Sequence, residues 1–423
     1  TLTLPSPGST SSLSYSKNIL IDPTAPTVSL SSTSTALTNS SPFRVTATFS
    51  EAITLFVVGD LSVTNGSASN FTAVSSSVYT FDITPSASGV VTITIPTSSA
   101  MDAAGTSSTV SNTLSRTYDG TRPTVTVTTT VSSPTLQTPI PYSASFSENV
   151  TDFDISDISV TNATVGNFVA VSSTYYTFDV SPIGHPTLNV DVTVYISTSS
   201  AYDSAANGNG ISNTATIRFD NHRPTVGITS NVGSITNRTS ITVTTTFSEA
   251  VTGFASDDLS LTNGTITNFT TVSSTVYTIT FTPSGGVTSL YVMASTSQDQ
   301  ASNYNLISNT ISFTYDGTSS TVSITSSVGT YASSSPIYVT TTFSESVGGF
   351  TISDLSITNG TASDFVAVST TVYTFSVTPS SQGTVVISVP ANSATDTAGN
   401  YNIRSNNVTT TYDSTPPTIA EVT

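Results

Sequence analysis

A block beginning Phe-Ser-Glu returns four times in this 423-residue chain: FSEAITLFVVGDLSVTNG from Phe49, FSENVTDFDISDISVTNA from Phe146, FSEAVTGFASDDLSLTNG from Phe247 and FSESVGGFTISDLSITNG from Phe343. The copies start 97, 101 and 96 residues apart. Other segments keep the same period: VYTFDIT, YYTFDVS, VYTITFT and VYTFSVT, then MDAAG, YDSAAN, QDQASN and TDTAGN. Such a period is too long for one coil of a solenoid and matches one independent β-sandwich. Each copy closes on Tyr118-Asp119, Phe219-Asp220, Tyr315-Asp316 or Tyr412-Asp413, which sets repeats at 23–119, 120–220, 221–316 and 317–413. Residues 1–22 resemble the last hairpin of a preceding repeat, and 414–423 a linker with the first strand of a following one. The chain then reads as an excerpt of a longer array, or as a subunit whose incomplete ends are filled by another molecule.

Within a repeat, apolar residues alternate with period two, as in Val339, Thr341 and Phe343, or Val385, Ile387 and Val389. Valine, threonine, tyrosine and phenylalanine favour strands. Asn65-Gly66, Asn263-Gly264 and Asn359-Gly360 each read as a hairpin turn, while Asn162-Ala163 calls for a looser one. About seven strands fit in each repeat: TVSL, the run ending FSE, DLSV, a return strand after Asn-Gly, VYTF, TITIP and NTLSRTYD. The expected fold is all-β, with tandem immunoglobulin-like β-sandwiches (four full repeats and partial repeats at both ends) forming an elongated rod.

Tracing alternate strands up and down such a sandwich sends four acids to each junction. They are Asp22, Glu51, Asp60 and Asp102; then Asp119, Glu148, Asp157 and Asp203; then Asp220, Glu249, Asp258 and Asp299; and Asp316, Glu345, Asp354 and Asp396, with Asp413 left for a further unit. That places 17 of the chain's 25 acids. Two carboxylates ~5 Å apart repel by about 3 kcal/mol at an effective dielectric near 20. Several such pairs rival a whole domain's stability, so a partner is required. Ca2+ fits an all-oxygen set, and Asn207, Asn303 and Asn400 offer further amide oxygens. Backbone capping by the aspartates, or pairing with Arg122 and Arg223 in the linkers, is the competing reading.

Composition narrows the function. Charged residues make up 8% of the chain, and 25 acids against 8 bases give −17, which disfavours nucleic acid and anionic membranes. Cysteine is absent, which removes disulfides and thiolate chemistry; the single lysine, Lys17, removes a lysine–asparagine cross-link in every repeat. No apolar run reaches 18 residues, so membrane insertion of this segment is not expected. The two histidines, His185 and His222, do not recur between repeats, and no serine nucleophile motif accompanies them. No enzyme is expected. Tyr175, Tyr176 and Tyr202, or Tyr291 and Tyr304, offer sugar-stacking rings for a binding module.

Together FSE, DLSVTNG, VYTF, DAAG and TYD-x-T resemble the bacterial Ig-like repeats of large cell-surface proteins and adhesins, over all four repeats and both ends. Ala163 and Thr106 depart from the pattern of the other copies. The resemblance implies an extracellular rod with calcium at its joints. The expected role is therefore a structural segment of an adhesin stalk or surface fibre. Alternatives are a filament or sheath subunit and a carbohydrate-binding adhesive module. Partners would be neighbouring repeats of the same or an identical chain, cell-surface glycans or other surface proteins.

Overall fold

The structure, a computed structural model, describes residues 6, 8–10, 21–184 and 187–418. The hairpin expected within 1–22, Lys17, His185 and most of the strand expected after 414 lie outside the described residues. The chain divides into two compact units, Thr1–Asp220 and Asn221–Thr423. The first holds repeats one and two, the second repeats three and four.

The first repeat shows the plan. Its strands are β1 (Val28–Ser31), β2 (Leu37–Thr38), β3 (Phe43–Phe49), β4 (Ser62–Thr64), β5 (Gly66–Ala73), β6 (Val78–Pro85), β7 (Gly89–Thr94) and β8 (Leu114–Tyr118). They form two sheets, β1-β3-β6-β5 and β2-β8-β7-β4. Alternation decides what faces inward: Phe43, Val45, Ala47 and Phe49 of β3 are buried while Arg44 and Thr48 are exposed. The same buried–exposed sequence recurs at Ile140–Phe146, Ile241–Phe247 and Ile337–Phe343. Each repeat buries its own core between the sheets; that of the fourth is in two clusters, both in contact with Leu355 and Phe365.

Two features differ from the sequence expectation. The first strand is divided: β1 pairs antiparallel with β3, and the chain then crosses to the other sheet, where β2 pairs parallel with β8. The Asn-Gly turn is not a hairpin. β4 pairs with β7 and β5 with β6, so the turn carries the chain from one sheet to the other. Asparagine is the residue that makes this possible, with a left-handed φ of 52° at Asn65, 58° at Asn162, 53° at Asn263 and 57° at Asn359. Its side chain also donates across the corner, from Asn65 Nδ2 to Ala87 O (2.9 Å) and from Asn162 Nδ2 to Asp191 O (2.9 Å). The second copy therefore turns like the rest. A Cβ on Gly264 would lie 2.1 Å from the Phe281 ring, whereas the smaller Val180 stands at that place in repeat two and leaves room for Ala163.

A Ser-Asn pair before the last strand ties the sheets together. Ser111 Oγ accepts from Ile95 N at 2.8 Å, while Asn112 accepts from Leu30 N (2.7 Å) and donates to Leu30 O (3.1 Å). Asn213, Asn309 and Asn406 grip Val127, Ile228 and Ile324 in the same way.

Candidate metal centres

The Phe-Ser-Glu motif places its glutamate through the two residues before it. Phe49 lies in an aromatic cluster with Phe56 (5.2 Å), which in turn meets Tyr79 (5.1 Å) and Phe71 (5.3 Å). Phe146, Phe153, Tyr176 and Phe168 rebuild it in the second repeat, and Phe343, Phe350, Tyr373 and Phe365 in the fourth. Ser50 bridges to the start of the repeat, accepting from Thr27 N at 3.0 Å and donating its own N–H to Thr27 O at 2.9 Å. Ser147, Ser248 and Ser344 accept likewise from Thr124, Thr225 and Thr321. The glutamate is left at the pole where the preceding linker enters.

Two aspartates join it there. In the loop before the last strand, Asp102 Oδ1 accepts from Ala104 N and Thr106 N, both 2.8 Å. Asp203 and Asp396 hold their loops with the same bonds. In the linker, one oxygen of Asp22, Asp119 and Asp316 caps the threonine N–H two residues on, at 2.9, 3.0 and 2.9 Å. The result is three acid triads within the units: Asp22, Glu51, Asp102; Asp119, Glu148, Asp203; and Asp316, Glu345, Asp396. In each, one carboxylate oxygen per residue lies within 4.8 Å of the others. The second and third triads draw on two successive repeats. Asp220, which is buried, closes the first unit. Glu249 and Asp299 hold the equivalent positions of repeat three, where Asp299 Oδ1 and Oδ2 accept from the N–H and Nδ2 of Asn303.

The fourth acid expected at each junction is spent elsewhere. Asp60, Asp157, Asp258 and Asp354 end a one-turn 3-10 segment, and each carboxylate accepts from the backbone N–H three residues earlier, at 2.8, 2.9, 2.7 and 2.8 Å. This is a capping role, and these aspartates are not in the triads. Asp413 caps Thr415 N at 2.9 Å.

The electrostatics follow from the crowding. Glu148 is pushed above its ordinary value by burial, then by the charges of Asp203 and Asp119; Glu345 is raised by burial, Asp396 and Asp316. Burial, Asp22 and Asp102 act in the same direction on Glu51. The linker arginines do not relieve the repulsion. Arg223 is spent on its own repeat, donating to Tyr304 O (2.7 Å) and Asn305 O (2.9 Å), and no ion pair joins Arg122 to Asp119 among the described residues. His222 Nδ1 lies 3.8 Å from Glu249 Oε1.

The donor set suits a hard cation: carboxylate oxygens with neither sulfur nor imidazole in the triads. One atom asks for such a partner. Asp102 Oδ2 is buried and has no hydrogen-bond donor. At the other joints an asparagine supplies one. Asn207 Nδ2 donates to Asp203 Oδ2 (2.9 Å) and across the joint to Asp119 O (2.8 Å), and Asn400 does the same for Asp396 and Asp316. These amides thus turn nitrogen, not oxygen, toward the acids. Thr106 replaces them in repeat one, reaching Asp22 O at 2.8 Å and leaving Asp102 Oδ2 bare.

Fold and joints together define tandem immunoglobulin-like sandwiches, and within each unit the two successive repeats share an acidic junction. The profile of the bacterial Ig-like domain matches residues 22–118, 119–219, 220–315 and 316–412, and the chain belongs to that family. No curated protein matches the chain. Similar solved structures include invasin, described as a bacterial integrin-binding protein, at 13% identity over 86% of this chain and 76% of that one, with a TM-score of 0.32. InvD of Yersinia pseudotuberculosis matches at 13% identity over 68% of this chain and 97% of its own, with a TM-score of 0.30.

Proposed function

We propose that the chain is a non-enzymatic extracellular structural segment of a bacterial adhesin stalk or surface fibre, stiffened by Ca2+ at its inter-repeat joints. The observation that carries this reading is the rebuilding of one acid triad three times within the two units, each from the linker, the Phe-Ser-Glu strand end and the last loop. Ca2+ takes six to eight oxygens in a loose geometry, which suits a site of three carboxylates completed by water. Asp119, Glu148 and Asp203 would hold one ion, and Asp316, Glu345 and Asp396 another. An ion ligated by both neighbours stabilises the joined arrangement by mass action. Family membership and the weakly charged, hydroxyl-rich composition support a surface location.

The test is small-angle scattering and thermal unfolding of the full chain in calcium and in EGTA. Chelation is expected to broaden the distribution of maximum dimensions and lower the Tm. Identical profiles and melting curves in the two buffers would sink the calcium role.

A further inference from the structure

We propose that the second repeat carries a binding groove for neutral carbohydrate on the outer face of its sheet, formed by Tyr175, Asp179 and the hydroxyl-bearing residues between them. The sheet comprises strands Ala163–Ala170, Tyr175–Pro182, Ile140–Phe146 and Val125–Thr128. Its outer face holds a groove of about 420 Å³ lined by Thr128, Ser143, Asn167, Tyr175, Thr177 and Asp179. Adjacent positions alternate, so Tyr175 is 40% exposed while Tyr176, the other ring of the pair, is buried in the aromatic cluster.

The other three repeats act as internal controls, because the same register positions carry different groups. Tyr175 corresponds to Val78, Val276 and Val372. In repeat one, Arg44 pairs across the strands with Asp82, at 2.9 and 3.2 Å, and occupies the place that Pro141 leaves open opposite Asp179. Repeat three has Thr242 opposite Thr280 there, with no carboxylate. Repeat four has a smaller groove of about 320 Å³ with Asp364, but its ring, Tyr338, stands at the Pro141 position. The second repeat is set apart by position: its exposed ring, Tyr175, stands on the same strand as the Asp179 carboxylate, whereas the exposed Tyr338 and the Asp364 of repeat four lie on two other strands.

That pairing is what a sugar needs. An exposed phenol ring takes the apolar C–H face of a pyranose. Asn167 Nδ2 donates to Asp179 Oδ2 at 2.8 Å and fixes the carboxylate, whose other oxygen has no donor among the described residues. Neighbouring sugar hydroxyls donate well to such a fixed anion. Thr128, Ser143 and Thr177 supply further donors and acceptors. The carboxylate, the absence of lysine or arginine from the lining and the chain's −17 charge select against acidic sugars.

The test probes the full chain on an array of neutral glucose-, galactose- and mannose-containing oligosaccharides beside sialylated ones, and hits are measured by calorimetry. Tyr175→Val and Pro141→Arg each install a residue that another repeat already tolerates, so both variants are expected to keep the wild-type Tm. Binding of a neutral oligosaccharide that falls at least ~10-fold in both variants supports the groove. No binding, binding that survives both substitutions, or a preference for sialylated ligands overturns it.

Discussion

Single residues set the differences between otherwise matching repeats. The core position of Ala47 and Ala144 is Thr245 in repeat three and Thr341 in repeat four, both fully buried with an Oγ1 that has no partner. A buried hydroxyl without a hydrogen bond costs roughly 1–3 kcal/mol. Thr341→Val keeps the shape and removes that cost, so denaturant unfolding should show a gain of about 1 kcal/mol; an unchanged midpoint would mean the hydroxyl is satisfied. The Thr106-for-Asn exchange is the functional counterpart. Thr106→Asn should give Asp102 Oδ2 an amide donor and weaken Ca2+ at that joint. Asn207→Ala should bare Asp203 Oδ2 and tighten it at the next. Calorimetric titration of each variant measures both, and equal affinities in all three proteins would refute the assignment.

At the scale of elements, the alternation inside β3 and β6 and the seven recognisable strand sequences were legible because burial writes a period of two into the chain. Convergence of glutamate, linker aspartate and loop aspartate on one pole was legible too, since antiparallel strand direction fixes which ends share a pole. The fourth acid was not. Asp60 looks the same in sequence whether it points at a junction or caps Val57 N, and a single 3-10 turn decides. Asn65-Gly66 misled for a related reason: a left-handed asparagine serves a hairpin and a sheet crossing equally well, and long-range pairing of β4 with β7 chooses. The Ser-Asn clamp went unmarked because serine and asparagine carry no contrast in a chain this rich in polar residues. Its weight is nonetheless large. Asn406→Ala removes two bonds to Ile324 and strands both backbone groups, so a loss of about 2–3 kcal/mol is expected in chemical denaturation. A change below ~0.5 kcal/mol would show that water replaces the amide.

For the whole molecule, the acid triads make stability depend on pH in a direction that reverses with the cation. Without divalent ions, Glu148 and Glu345 bind their protons more tightly in the folded chain than at their ordinary value of 4.5, because burial and the neighbouring aspartates disfavour the charged form. The folded state then holds more protons than the unfolded one in the window just above that value. Stability in EGTA must therefore fall as pH rises from about 4.5 through the raised values toward neutrality. The opposing groups act in a separate window. Arg44 beside Asp82 and the Ser376 hydroxyl on Asp364 hold those carboxyls below their ordinary value of 3.8, a contribution present above that value and lost on further acidification. Calcium requires the deprotonated triad, so its stabilisation should grow over the same rise in pH that weakens the ion-free chain. Calorimetric scans from pH 4.5 to 7.5 in EGTA and in calcium should give Tm curves that diverge as pH increases. Two parallel curves would show that the triad carboxylates do not bind the ion, and a flat curve in EGTA that they do not repel one another; both together would leave the asparagine bridges Asn207 and Asn400 as the side-chain hydrogen bonds that span these joints to the linker aspartates.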